Sequence, residues 1–421
     1  MKLQSRRLRT VGAGALSALV LLPCVLTGCD GLGNTTAGGT SGCPTGVSGV
    51  TPTSIKIGLI YPDTGPAGVA DTFQGARSAI DARVQLQNAE GGVNGRSIDL
   101  VWGDDSSNPE TFSVVAHNLI DDRKVFGLIA QSIVVGDSAP WLHQQGVPVT
   151  GVSTSAVWSN YSNLFDFGNI FIPGGITTYG DFVKAQGGTK ALILVDSTVE
   201  ASQDLAAQFG ASLRSRGIQV LGEITYSDGF SNAARVADQL KGSGADTLIG
   251  ASQTSAFIDI YSQAKALGAK INVALNESGY SPSLLGTQGR QMAGMSVIVG
   301  YAALDSPAMT TYKKAMSIYA PEVADPTDKG SLASYVAADE MIEGLRLAGT
   351  CPTRQSFIQN LRKVTSFTGS GIIAPVDLSQ PKQPVRCFNF IKVDATGRSF
   401  APVPPPTALD HNGFWCGQPL P

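Results

Sequence analysis

The chain has 421 residues, with 33 acidic and 30 basic side chains and a formal net charge of −3. A length of this order exceeds what one hydrophobic core serves, so more than one domain is expected. The absence of a basic surplus or a basic run excludes an electrostatic footprint for nucleic acid. At the start, Lys2, Arg6, Arg7 and Arg9 precede an uncharged apolar or small stretch from Val11 to Leu22. That stretch is too short to span a bilayer, which takes roughly 20 residues, and fits the apolar region of a secretory signal.

Leu26-Thr27-Gly28-Cys29 follows and resembles the bacterial lipobox. The resemblance implies cleavage of residues 1–28 and a diacylglycerol on Cys29; an ordinary signal with an incidental cysteine is the alternative. Arg6-Arg7 hints at twin-arginine export, although the residues after it match poorly. Cleavage before Cys29 removes four positive charges and takes the net charge from −3 to −7. Attachment to the outer face of the cell membrane then rests on acyl chains rather than charge. Residues 29–52 read as a flexible tether, because the Gly-, Thr- and Ser-rich run from Asp30 buries too little to fold alone. On random-coil scaling it reaches roughly 25–30 Å. Beyond it stand Cys43, Cys351, Cys387 and Cys416, an even number in an oxidising compartment. Three pairings are open; the favoured one joins Cys351 to Cys387 and Cys43 to Cys416. No CxxC spacing supports zinc or redox chemistry.

From Ser54 the chain alternates short β-branched runs with amphipathic stretches. Strands are expected at Ile55–Tyr61, Ile98–Gly103, Val125–Ala130 and Val147–Val152. A helix is expected over Thr72–Glu90, ending at Gly91-Gly92. Another opens at Asn108-Pro109, a cap followed by a first-turn proline, and runs to about Asp121. The second half repeats the pattern, with strands at Ala191–Val195, Ile218–Thr225, Thr247–Ala251, Asn272–Leu275 and Met295–Gly300. Phe257, Ile260, Tyr261, Ala264 and Leu267 form a helical stripe, read as core. Helices are expected at Ser306–Tyr319, Ser331–Leu347 and Thr353–Val364. The proline-rich tail has its best strand at Val385–Val393. Strand–helix–strand alternation in two blocks implies an α/β fold with parallel sheets covered by helices on both faces.

Several segments resemble the branched-chain amino-acid-binding family of periplasmic type I binding proteins. These are Ile55-Lys56-Ile57-Gly58-Leu59 with Thr64-Gly65-Pro66, then Gly91-Gly92-Val93-Asn94-Gly95, Asp104-Asp105 with Pro109, Gly146-Val147-Pro148-Val149, and Gln263-Ala264-Lys265-Ala266-Leu267-Gly268. Each motif is weak alone; their order and spacing over about residues 53–395 carry the resemblance. It implies two Rossmann-like lobes joined by a three-stranded hinge, lobe one at 53–172 plus 302–350 and lobe two at 173–301 plus 351–421. Ligands of such sheets sit outside the carboxyl ends of the strands.

At those ends stand the candidate binding residues. Ser132 follows the third strand, beside a helix start suited to a carboxylate, where a serine also serves as an ordinary cap. Ser153, Thr154 and Ser155 follow the fourth strand and offer three hydroxyls; a plain polar loop has the same look. Glu277 ends the strand at Asn272–Leu275, where a solvated loop charge is the bland reading. The resemblance assigns the ligand carboxylate to Ser132, both the carboxylate and the ammonium to the Ser153–Ser155 triplet, and the ammonium to Glu277. It also places Glu200 and Gln253 where relatives carry tyrosines, so a polar side-chain pocket is expected.

The resemblance implies a binding component of an ABC-type importer that takes a small polar ligand, an amino acid, and delivers it to a membrane permease. A sensory lipoprotein feeding a receptor, or a binder of an amide or other solute, is the alternative. No enzyme is expected: GxSxG, HExxH and P-loop motifs are lacking, and His117, His143 and His411 are scattered. No cofactor or metal is expected, and the protein is read as a monomer.

Overall fold

The computed structural model describes residues 43–420, apart from 154, 169–174, 197–199, 227–230 and 380–384. The signal segment, the lipidation candidate Cys29 and the first part of the tether therefore lie outside the described residues. In β1 (Ser54–Tyr61) nearly every side chain is buried, which is why its sequence is a run of apolar residues rather than an alternation. It pairs in parallel with β2 (Ser97–Asp104) on one side and β3 (Leu128–Ala130) on the other. With β4 (Val149–Gly151) and β5 (Leu164–Asp166) they form a five-stranded sheet in the order β2-β1-β3-β4-β5. The Gly91-Gly92 motif makes the turn into β2. Gly92 has φ +73°, and a Cβ there would strike the Arg96 carbonyl, so this position needs glycine.

Helices α1 (Ala67–Phe73), α2 (Ala76–Ala89), α3 (Pro109–His117) and α4 (Ala139–Gln144) accompany these strands. Asn108 caps α3 by accepting the Thr111 N–H at 2.8 Å, as its sequence predicts.

Lobe two begins with α5 (Thr178–Ala185) and continues through β6 (Lys190–Val195), α6 (Glu200–Ser215), β7 (Gln219–Thr225), α7 (Ala233–Ser243), β8 (Thr247–Ala251), α8 (Thr254–Ala266), β9 (Val273–Asn276), α9 (Pro282–Met292) and β10 (Ser296–Val299). The chain then returns to lobe one for α10 (Pro307–Tyr319), α11 (Lys329–Leu347) and α12 (Arg354–Leu361). It ends in lobe two with β11 (Cys387–Val393), β12 (Phe400–Pro402), β13 (Asp410–His411) and β14 (Phe414–Cys416). The second sheet has nine strands, ordered β13-β14-β11-β10-β9-β8-β6-β7 with β12 beside β11. Its β7–β10 portion is parallel; β11 adds on antiparallel to β10. The chain thus crosses between lobes three times, and two crossings pair at Tyr301 and Ile373. This is the two-lobed α/β fold expected from the sequence.

Three expectations change. The α12 helix packs on lobe one rather than lobe two. Arg354 donates to the Phe126 and Val125 carbonyls at 2.8 Å each, and Arg362 to the Ser162 carbonyl at 2.9 Å. The disulfides join Cys43 to Cys351 and Cys387 to Cys416, overturning the favoured pairing. The physical reason is that Cys387 and Cys416 face each other across the β11–β14 ladder. Cys43 meets Cys351 at the α11–α12 connection. Finally, residues 43–53 are fixed to lobe one. Beside the disulfide, the Lys56 N–H donates to the Gly49 carbonyl at 2.7 Å and Arg96 Nε to the Thr51 carbonyl at 2.8 Å.

Candidate functional site

Parallel strands deliver the loops at their carboxyl ends to one edge of a sheet, and in both lobes this edge carries the polar candidates. In lobe one the edge is built by the Asp104-Asp105 pair. Asp104 accepts from the Thr64 hydroxyl at 2.5 Å, the Asp63 N–H at 3.0 Å and the Ser106 N–H at 2.8 Å. Burial raises its pKa, but these hydrogen bonds outweigh it and hold the carboxyl below its usual range. Burial pushes Asp105 upward, against hydrogen bonds from Ser132 and the Ser107 N–H. Both aspartates are thus occupied in closing loops.

Ser132 lies in the same network. It is fully buried, bonded to Asp105, and its Oγ accepts the Val134 N–H at 3.2 Å. Ser153 is buried and donates to the Ser155 carbonyl at 3.4 Å. Ser155 occupies the cap position of the short turn Ala156–Asn160 without a side-chain cap bond. Gln253 is exposed at the cap of α8. Thr154 lies outside the described residues, and so does the side chain of Glu200, which begins α6.

A cavity of about 250 Å³ opens where the two edges meet the crossings. Lobe one contributes Phe167, Leu332, Ala333 and Val336; the crossings contribute Gly300, Tyr301, Ile372 and Ile373. Lobe two contributes Tyr179, Leu205, Ile298 and Phe388. Two charged residues complete the wall. Glu277, just beyond β9, faces Lys329, the first residue of α11, across the gap between lobes. Lys329 Nζ lies 3.1 Å from Glu277 Oε2 and donates to the Glu277 carbonyl at 2.8 Å. Burial and the Glu277 charge push the Tyr179 phenol well above its ordinary pKa. Burial does the same at Tyr301, reinforced by Tyr280, Asp328 and Asp325. Both phenols therefore stay neutral.

Of the predicted site residues whose side chains are described, Glu277 reaches this cavity, while Ser132, Ser153, Ser155 and Gln253 are not part of its wall. The polar pocket expected from Glu200 and Gln253 differs in character from this cavity. Among the described residues the wall is mainly aliphatic and aromatic, contributed largely by α11, the crossings and lobe two, and Gln253 is not part of it. Tyr179 and Tyr301 supply aromatic rings from positions that the sequence does not single out. Lys329 was missed, although its place offers a signal: a cation in the first helical turn opposes the helix dipole.

A family model described as "Periplasmic binding protein" matches residues 54–398. The chain belongs to this family. Among solved structures it is similar to the substrate-binding protein LivJ from Streptococcus pneumoniae in complex with isoleucine. The identity is 16%, over 83% of this chain and 99% of that one, with a TM-score of 0.64. It is similar to a fatty acid ABC transporter substrate-binding protein from Thermomonospora curvata, at 20% identity, 87% and 95% coverage and TM-score 0.64. A solute-binding protein from R. palustris in complex with 4-hydroxybenzoate matches at 18% identity, 87% and 98% coverage and TM-score 0.64. No curated protein sequence matches the chain. Among the described residues of this family member, no helix is long and apolar enough to cross a membrane, and no His, Cys, Asp or Glu cluster is arranged to hold a metal.

Proposed function

We propose that the chain is the extracytoplasmic substrate-binding component of an ABC-type importer, held at the outer face of the membrane by a lipid on Cys29. It captures a small solute, an amino acid with an apolar side chain, by closing its two lobes, and presents it to a membrane permease. The observation that carries this reading is the cavity between the lobes. Among the described residues its wall is apolar except for one carboxylate from lobe two and one ammonium from lobe one. That arrangement complements a zwitterion with a hydrocarbon side chain. At about 250 Å³ the chamber lies below the roughly 300–1,000 Å³ range of sites for drug-sized ligands, which suits a small solute.

The first experiment is calorimetric titration of the chain, unfolded and refolded to strip bound ligand, with a panel of amino acids and carboxylic acids. One-to-one binding of leucine, isoleucine or phenylalanine is expected. Glu277→Gln is expected to cost about 2–5 kcal/mol of that binding, since it leaves a buried ammonium without its counter-charge. Unchanged affinity in this variant would remove the amino-acid reading. A second reading, a carboxylic acid with an apolar body and no ammonium, is favoured by the apolar wall. The similarity to structures named for a fatty acid and for 4-hydroxybenzoate supports it. Binding of 4-methylpentanoate or benzoate without any amino acid would establish it.

A further inference from the structure

We propose that Lys329 is the carboxylate-recognising residue of the cleft, so that the solutes taken are those carrying an anionic group beside an apolar body. This rests on the reading of the cavity as the solute site. Lys329 lines that cavity from lobe one, with its Nζ against Glu277 of lobe two. The helix that carries it does not need it. Asp328 already caps α11 by accepting the Ser331 N–H at 2.9 Å, and a lysine at the first position works against the helix dipole.

The pair it makes is also weak as a structural bond. The Lys329 and Glu277 side chains are 54% and 35% exposed, and ion pairs open to water to this degree contribute little. A ligand separates them at low cost. A carboxylate then gives Lys329 a new partner, and an ammonium does the same for Glu277. The bonds so formed are charge-assisted and shielded once the lobes close, where they count for more than the exposed pair they replace. Without Lys329 the remaining charge among the described wall residues is Glu277, which repels anions. The cavity wall includes none of Ser132, Ser153 and Ser155, and Lys329 is the sole cation among its described residues.

The test uses matched probes that differ only in charge: L-leucine with L-leucinamide, and 4-methylpentanoate with 4-methylpentanamide. Each is titrated calorimetrically into the complete chain in detergent, as wild type, Lys329→Gln and Lys329→Arg. The wild type is expected to prefer each acid over its amide by roughly 10- to 100-fold, the range of one charged hydrogen bond. Lys329→Gln should erase that preference while leaving amide binding within about threefold, and Lys329→Arg should retain most of it. If Lys329→Gln weakens acid and amide equally, Lys329 serves only to hold the lobes together and the proposal is wrong, while the cavity reading stands. If the wild type binds none of the four probes, the cavity reading falls and takes this proposal with it.

Discussion

Glu340 is fully buried on α11, and neither of its carboxylate oxygens has a hydrogen-bond partner. Burial, with Asp166 and Asp339 nearby, raises its pKa well above the ordinary glutamate range, and the Arg362 charge opposes this only in part. Burial likewise lifts Asp166 to about 6, against the Gly168 N–H and Arg362. Arg83 is committed to Asp339 at 2.7 Å. The sign of the linkage follows. Both acids hold their protons more tightly folded than unfolded, so their contribution is complete below their unfolded values near 4 and shrinks as the pH rises. For Asp166 the loss runs to about pH 6; for Glu340 it continues above that. The thermal midpoint is expected to fall between pH 5 and pH 8. Glu340→Gln should flatten that fall and raise stability at pH 8 by about 1–3 kcal/mol, measured by scanning calorimetry. An unchanged slope would mean that Glu340 is ionised and paired in the fold. None of this is legible in the sequence, because a glutamate in a long helix reads as a solvated face. Glu277 was singled out through the family resemblance, since a strand end alone reads as a solvated charge; for Lys329 the unfavourable helix position was the one signal, because its partner arrives from 52 residues away in the other lobe.

At the scale of elements, the long strands and helices followed their patterns closely: inner strands such as β1 and β8 carry a continuous apolar signature because both faces are buried, and the edge strand β7 alternates. The pieces that escaped are short. Leu164–Asp166 is a three-residue strand, and Phe414–Cys416 lies in a proline-rich tail where pairing with β11 decides the structure. Missing β14 also hid the reason for the Cys387–Cys416 bond. The attachment of α12 depends on a contact of the same long-range kind. Gly344 of α11 lies against Phe357 of α12, and a Cβ at this glycine would run into the ring. Alanine is the better helix former by about 1 kcal/mol, but overpacking costs about 1–3 kcal/mol. Gly344→Ala is therefore expected to lower the denaturation midpoint, and adding Phe357→Leu should recover part of the loss. A stabilised Gly344→Ala protein would show that α12 moves aside freely.

At the scale of the molecule, two sheets joined by three crossings make lobe closure the natural motion, and the cavity wall draws on both lobes and on the crossings between them. The repeat of βα units was enough to read two blocks with parallel sheets, and the family resemblance supplied the crossings between them; the wall composition was not legible, since it gathers residues from 167 to 388. The disulfides give a prediction at this scale. Cys43–Cys351 closes a sequence separation of 308 and Cys387–Cys416 one of 29. In the chain-entropy account the longer loop constrains the unfolded state more, by about 2 kcal/mol. Cys43→Ser with Cys351→Ser should therefore destabilise more than Cys387→Ser with Cys416→Ser in urea titrations. The reverse order would place the contribution of these bonds in the native state.

The Cys43–Cys351 bond also sets where mechanical load enters. Tension applied anywhere upstream of residue 43 is passed by a covalent link to the α11–α12 junction. Without that link it would arrive at β1, the strand on which β2 and β3 both pair, through the non-covalent bonds of residues 49–53, among them those of Gly49, Thr51 and Thr53. A strand loaded from its end through hydrogen bonds peels one bond at a time, whereas the covalent strap shares the force with α11 and α12. Any pull on the N-terminal segment is therefore taken up by lobe one, and lobe two, which this disulfide does not touch, is spared it.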